Sequence, residues 1–222
     1  MYAVIATYHR PELLRRAVAA AHCFMPGDHE VYVASNQETP PQAPGCRIVW
    51  WAKPLRHGEG PGWVRDMGIR HAVKYHKAGT DDVFLMLDDD AALNETFPGA
   101  LPLIAELLAE PDTGLLRLGL SKPEPRLTTT PFRGTGGGLL FTLKTYLDIG
   151  GYTHHFNDDK RLFERAVRHK LVNYQLPDVY SENTRFASGG LTELLGITES
   201  MTTEEKWQRK HAARRIADRM GW

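Results

Sequence analysis

The chain has 222 residues, 42% hydrophobic and 24% charged, with 27 Lys plus Arg against 27 Asp plus Glu. That length suits one substantial core rather than two independent domains, and the balanced charge leaves no global field to steer a polyanion. Cys23 and Cys46 are too few for a disulfide scaffold, no apolar run approaches the ~18 residues of a membrane span, and nothing at the N-terminus resembles an export signal, so a cytoplasmic protein with reduced thiols is expected.

Residues 2–7 read as a first strand, and Pro11 to Ala21 as a helix with proline in its first turn. Glu30 to Ala34 reads as the next strand, followed by the polar group Ser35-Asn36-Gln37-Glu38 and a proline-rich loop over 39–45. Arg47 to Trp51 reads as a short third strand. After the glycine-rich loop at 58–62, Trp63 to Lys77 reads as a helix and Gly79 to Asp82 as a turn. The run Val83-Phe84-Leu85-Met86-Leu87 then reads as a buried strand that stops at Asp88-Asp89-Asp90. Strand and helix alternate throughout this half, which predicts an α/β fold with a mostly parallel, Rossmann-like central sheet flanked by helices. Ligands of such sheets gather beyond the carboxyl ends of the strands, so Thr7, Ser35 and Asp88 are expected to be neighbours.

The second half is patterned differently. Pro98 to Glu110 reads as an apolar helix and Gly114 to Leu120 as a strand. Residues 121–135, rich in proline and threonine and carrying Lys122, Arg126 and Arg133, read as a surface loop or a lid. Gly136-Gly137-Gly138 feeds the apolar run Leu139-Leu140-Phe141, and the segment 160–170 reads as a helix preceded by Asp158-Asp159. Residues 201–222 are expected to form a basic C-terminal helix. The chain is thus expected to form one domain with two differently patterned halves, 1–95 and 96–200.

Three adjacent carboxylates repel one another, and a cation that neutralises part of their charge makes the run tolerable at a sheet edge. In an extended chain Asp88 and Asp90 project to one side and Asp89 to the other, offering two oxygens to a hard divalent ion that leaves room for phosphate. A solvated turn after a strand is the plainer alternative.

Taken in order, these motifs resemble the GT-A glycosyltransferase fold, especially the large inverting family that uses nucleotide-diphosphate sugars. The resemblance spans about residues 2–182. Val4-Ile5-Ala6-Thr7-Tyr8-His9-Arg10 looks like the nucleobase-binding strand end, and Glu38 sits near the family's acidic contact to the nucleoside. Gly62 to Gly68, with Arg65 and Asp66, looks like the helix start that usually carries an arginine–asparagine pair; aspartate stands here in place of the asparagine. Asp88-Asp89-Asp90 looks like the metal-binding acidic motif. Gly136 to Tyr152 resembles the acceptor-side segment, and Phe156-Asn157-Asp158-Asp159 the place of the general base.

The resemblance implies transfer of a sugar, with a UDP-sugar as the expected donor, to an acceptor hydroxyl. It implies Mn²⁺ or Mg²⁺ held by Asp90 with Asp88 or Asp89 assisting, while the histidine that many relatives add late in the chain has no clear equivalent, leaving Asp178 or a water as third ligand. Asp159 is the expected base and Asp158 the alternative, though the pair equally suits a helix N-terminus. Arg10 or Arg65 would fork onto the nucleotide phosphates, Thr7, Asp89 and Glu38 would line the nucleotide site, and Gly137 and Gly138 would let the backbone approach the sugar or acceptor. Trp50, Trp51 and Trp63 suit core or nucleotide-wall positions. His57, beside Arg56 and Gly58, suits a phosphate contact or a plain surface position, and no metal role attaches to His154 or His155.

A narrower resemblance is to phage glycosyltransferases associated with TET-type dioxygenases, carried by the compact size and the segment Ser181 to Gly190. It implies 5-hydroxymethylpyrimidine DNA as acceptor and the host cytoplasm as setting. Arg161, Arg165, Arg168 and Lys170, and Lys206, Arg209, Lys210, Arg214 and Arg215, are the basic clusters available for a DNA backbone, or two solvated helix faces. The competing readings are a transferase acting on a saccharide, lipid-linked sugar or protein, a nucleotidyltransferase, and a non-catalytic nucleotide-sugar-binding module.

Overall fold

The computed structural model describes residues 1–52, 61–118, 126–127, 138–153, 158–176 and 181–183, together with Thr202 and Glu205. β1 (Tyr2–Thr7) is a run of small and β-branched residues buried along most of its length, as a central strand requires. α1 (Pro11–Phe24) starts at proline and buries Leu14, Ala17, Val18 and Ala21, a stripe at helical spacing. β2 (Glu30–Ser35), β3 (Arg47–Trp50), α2 (Pro61–His76) and β4 (Val83–Asp88) follow, each close to its expected place. β4 ends at the first carboxylate, and the chain turns through Asp89 and Asp90 into a short β5 (Ala91–Leu93).

α3 (Thr96–Ala109), β6 (Thr113–Leu118), β7 (Arg126–Leu127), β8 (Leu139–Thr142), α4 (Leu143–Asp148), α5 (Asp158–Arg168), β9 (Val172–Leu176) and β10 (Ser181–Asn183) complete the described elements. Eight strands form one sheet in the order β3-β2-β1-β4-β8-β6-β9-β7, and β10 pairs with β5 in a second, small sheet. β3, β2, β1 and β4 are mutually parallel, β8 runs antiparallel between β4 and β6, and β9 returns parallel to β6. The result is an α/β fold with a mixed, mostly parallel central sheet covered by helices.

The core lies in two layers because β-strand side chains alternate. Ala3 and Ile5 of β1 pack with Leu14, Val18, Phe97 and Ile104 under α1 and α3. Val4 of the same strand packs with Val64, Ile69, Tyr146, Leu162 and Phe163 under α2, α4 and α5. α2 lies so close to β1 that a Cβ on Gly68 would stand 2.4 Å from Val4 Cγ1.

Four short or late strands were not expected from sequence. In β9 the polar Asn173 takes an inward position and accepts a hydrogen bond from Leu115 N–H at 2.8 Å, which masks the apolar alternation. β5, β7 and β10 have two or three residues each, too few to show a period. The expected C-terminal helix lies outside the described residues except at Thr202 and Glu205. There Glu205 N–H donates to Thr202 Oγ1 and Thr202 N–H to Glu205 Oε2, the reciprocal bonds of a helix start.

Candidate active site

β1 and β2 are in register from Tyr2 opposite Glu30 to Thr7 opposite Ser35, and Ala6 lies opposite Asp88. The carboxyl ends of β1, β2, β3 and β4 therefore share one edge, as expected for Thr7, Ser35 and Asp88, and β8 starts from the same edge because it runs the other way.

The acidic turn is fastened to β1. Asp89 N–H donates to Ala6 C=O at 3.1 Å, and Thr7 Oγ1–H donates to Asp89 Oδ2 at 2.8 Å. Arg10 Nη1 donates to both Asp89 Oδ1 and Asp90 Oδ2 at 3.1 Å. Burial pushes Asp89 up to about 6, against the opposing pull of Arg10 and Thr7. The extended geometry expected for Asp88, Asp89 and Asp90 thus gives way to a turn after Asp88, because the side chain of Asp89 is held inward by Thr7. Arg10, expected at a nucleotide phosphate, faces this turn.

Arg65 takes the remaining carboxylate. It is buried near the start of α2 and donates from Nη2 to Asp88 Oδ1 and from Nη1 to Asp159 Oδ1, the latter at 3.1 Å. Its Cζ stands 5.6 Å from the centroid of the Tyr152 ring. Burial disfavours the charge on Arg65, but the carboxylates of Asp159 and Asp88 outweigh it and push the guanidinium well up. Asp159 is shifted upward by burial and by Asp88, against Arg65, the Tyr152 hydroxyl and Arg117. Its side chain keeps 32% of its exposure, so it faces the crevice while its inner oxygen faces Arg65. α5 begins at Asp158, which puts both acidic residues in its first turn, where the helix dipole favours negative charge.

Asp66, which stands where the family pattern has asparagine, turns away from this group. It accepts the Tyr146 hydroxyl at 2.7 Å and pairs with Arg70, joining α2 to α4. Glu38 is exposed and pairs with His9 Nε2 at 2.9 Å, while His9 N–H donates to Gln37 Oε1 at 3.0 Å. Gly138 has Leu118 Cδ1 and Leu85 Cδ1 within 2.5 and 2.9 Å of where a Cβ would lie, so its lack of a side chain serves strand packing. Trp50 and Trp51 stand exposed at the end of β3, and Trp51 meets Trp63 edge-on at 6.3 Å between centroids. Gly137, His57, His154, His155 and Asp178 lie outside the described residues.

Several residues of this edge escaped the sequence reading. His9 adopts a left-handed backbone with φ 56°, which is uncommon outside glycine and asparagine. Asn36 is buried after β2, and its Nδ2 has no partner among the described residues. Tyr152 stands beside Arg65 because Gly150 and Gly151, at φ 80° and 63°, turn the chain there. The glycine pair was the available signal for the turn; nothing local pointed to the arginine above it.

Among the described residues no three His, Cys, Asp or Glu side chains converge as a metal cluster. Asp88 and Asp90 are the oxygen donors that the turn after β4 offers, and each has one oxygen facing a guanidinium, Asp88 that of Arg65 and Asp90 that of Arg10.

No family model and no curated protein matches the chain. Solved structures do. A mannosyltransferase, PcManGT from Pyrobaculum calidifontis in complex with GDP-Man and Mn²⁺, superposes with TM-score 0.61 at 17% identity, over 81% of this chain and 55% of its own. The chain has the Rossmann-like fold of that mannosyltransferase. S. aureus TarS 1-349 superposes with TM-score 0.54 at 12% identity, over 81% of this chain and 58% of its own. The chain therefore spans little more than half the length of either. A 4-diphosphocytidyl-2C-methyl-D-erythritol synthase superposes with TM-score 0.54 at 14% identity, over 88% of this chain and 96% of its own. The fold is thus shared beyond sugar transferases, and the side chains at the strand ends must carry the functional argument.

Proposed function

We propose that the chain is a nucleotide-sugar-dependent glycosyltransferase of the GT-A type, acting on a hydroxyl of a saccharide, a lipid-linked sugar or a protein. The observation that carries this is the meeting of Asp88 on β4 with Asp159 on α5 at the carboxyl edge of the sheet, in a fold shared with a mannosyltransferase. One acidic group then faces the donor side and another the acceptor side.

In the reaction, the acceptor oxygen attacks the anomeric carbon, a glycosidic C–O bond forms, and the bond from that carbon to the phosphate oxygen breaks. The nucleoside diphosphate leaves with the electron pair. Asp159 takes the proton of the attacking hydroxyl, a role assisted by burial, which raises the basicity of its carboxylate. Attack opposite the leaving group inverts the anomeric centre. Asp158 is the alternative base. A divalent Mn²⁺ or Mg²⁺, held by Asp90 and Asp88, would supply charge screening for the diphosphate. Thr7 and the Tyr8-His9-Arg10 segment border the nucleotide site, and a UDP-sugar is the first donor to try, with GDP-mannose beside it.

Hydroxymethylated DNA as acceptor has less behind it. Arg165, one of the basic residues counted for a DNA face, donates inward to Gly151 C=O, leaving Arg161, Arg168 and Lys170 exposed on that cluster. A nucleotidyltransferase has a glycine-rich, lysine-bearing phosphate loop near its N-terminus, whereas Tyr8-His9-Arg10-Pro11 follows β1 here.

Calorimetry with a panel of nucleotide-sugars, with and without Mn²⁺, tests the donor. Mass spectrometry of glycans, lipid-linked sugars, proteins and hydroxymethylated DNA then reads transfer as a hexose-sized gain. Gain on the DNA alone would move the acceptor to the narrower family, and absence of both donor binding and sugar gain would reject the reading.

A further inference from the structure

We propose that Arg65 is a positioning residue, and not a phosphate ligand, whose single guanidinium ties the donor-side carboxylate Asp88 to the acceptor-side carboxylate Asp159. The proposal deepens the glycosyltransferase reading and rests on it. Its geometry comes from four parts of the chain. Arg65 belongs to α2, Asp88 ends β4, Asp159 lies in the first turn of α5, and Tyr152 follows the turn after α4. Both terminal nitrogens donate to carboxylates, one to each partner, and the side chain is only 8% exposed. Asp88 and Asp159 keep 27% and 32% of theirs. The carboxylates therefore line the crevice while the guanidinium stands behind them, out of reach of a phosphate.

The support for the guanidinium is itself braced. Tyr152 N–H donates to Tyr146 Oη at 2.9 Å, and the Tyr146 hydroxyl donates onward to Asp66. Arg165 donates to Gly151 C=O, fixing the chain just before Tyr152. A planar fork held this way sets where the Asp159 oxygens point. It also opposes protonation of the base: Arg65, Arg117 and the Tyr152 hydroxyl favour the carboxylate, while burial and Asp88 favour the acid. Without the guanidinium, Asp159 would hold its proton to higher pH, so the fraction free to accept one from the acceptor would fall at a given pH.

The test reads the resting protein and the reaction separately. Carbon-13 NMR follows the Asp159 carboxyl through a pH titration in the wild type, Arg65→Gln and Arg65→Lys, with circular dichroism confirming the fold. Calorimetry gives donor affinity, and kcat is measured across pH. For Arg65→Gln the Asp159 midpoint is expected to rise by about one pH unit or more, the cost of a lost neighbouring charge. Donor Kd should change by less than about threefold while kcat near neutral pH falls roughly 100-fold, with its acid limb displaced to higher pH. Arg65→Lys keeps the charge without the fork and should fall between; if Arg65→Gln does not fold, the lysine variant decides by the same titration. An unmoved Asp159 midpoint, or donor affinity lost about as much as kcat, would overturn the proposal. If the wild type binds no nucleotide-sugar, the glycosyltransferase reading fails, and the carboxyl titration still decides whether Arg65 controls Asp159.

Discussion

Asp159, paired with a buried guanidinium, and His9, held in a left-handed backbone, stand at this edge. As the proposed base, Asp159 gives a direct test: Asp159→Asn should lower kcat by about 10²- to 10⁴-fold and leave donor Kd nearly unchanged; equal loss in both would make it a binding residue. His9 is held at φ 56° between Gln37 and Glu38. Asparagine tolerates that backbone and a β-branched residue does not, so His9→Asn should cost little in urea unfolding, while His9→Val should cost about 1–2 kcal/mol. Equal midpoints for the two variants would show that the backbone is not held there. At the far end of α2, burial, then His76, Arg47 and Lys74, lower the basicity of His71. A histidine depressed in the folded state binds fewer protons than in the unfolded chain. Its contribution is therefore intact above the ordinary histidine pKa and lost as pH falls through and below it. Thermal unfolding between about pH 7 and 5 should show this slope, and His71→Gln should flatten it.

At the scale of elements, the packing of α2 on β1 depends on a missing side chain. Gly68→Ala would drive a methyl into Val4 and should destabilise by about 1–3 kcal/mol in chemical denaturation, with Val4→Ala in the same chain recovering part of the loss. Failure of the second change to recover any stability would mean that α2 shifts instead. The same elements show why strand and helix positions in the first half were legible and later ones less so. β1, β2, β4 and α1 carry strong local patterns and stand within a few residues of their expected bounds. β9 hides behind inward Asn173, whose partner is a backbone N–H in β6. Neither the antiparallel insertion of β8 nor its place between β4 and β6 has a local signature, since an apolar run reads alike in either direction.

For the molecule as a whole, the described residues form two core layers on opposite faces of the sheet. Phe84 and Leu85 are neighbours in β4 but belong to opposite layers. Each change to alanine should cost about 2–5 kcal/mol, and the double variant should lose nearly the sum, because the vacated spaces lie on opposite faces. A strongly sub-additive double would show that the layers relax together. The candidate base comes from the resemblance of Phe156-Asn157-Asp158-Asp159 to a known motif; the strand ends and the run Asp88-Asp89-Asp90 follow from residue order and periodicity, which are local properties of the chain. The answer to that acidic run does not. Arg10 and Arg65 reach the carboxylates across separations of 79 and 80 residues for Arg10 and of 23 and 94 for Arg65. Which guanidinium meets which carboxylate depends on how helices settle on the two faces of the sheet. Charge repulsion along a strand end is written in the sequence; the cations that answer it are selected only when distant elements pack.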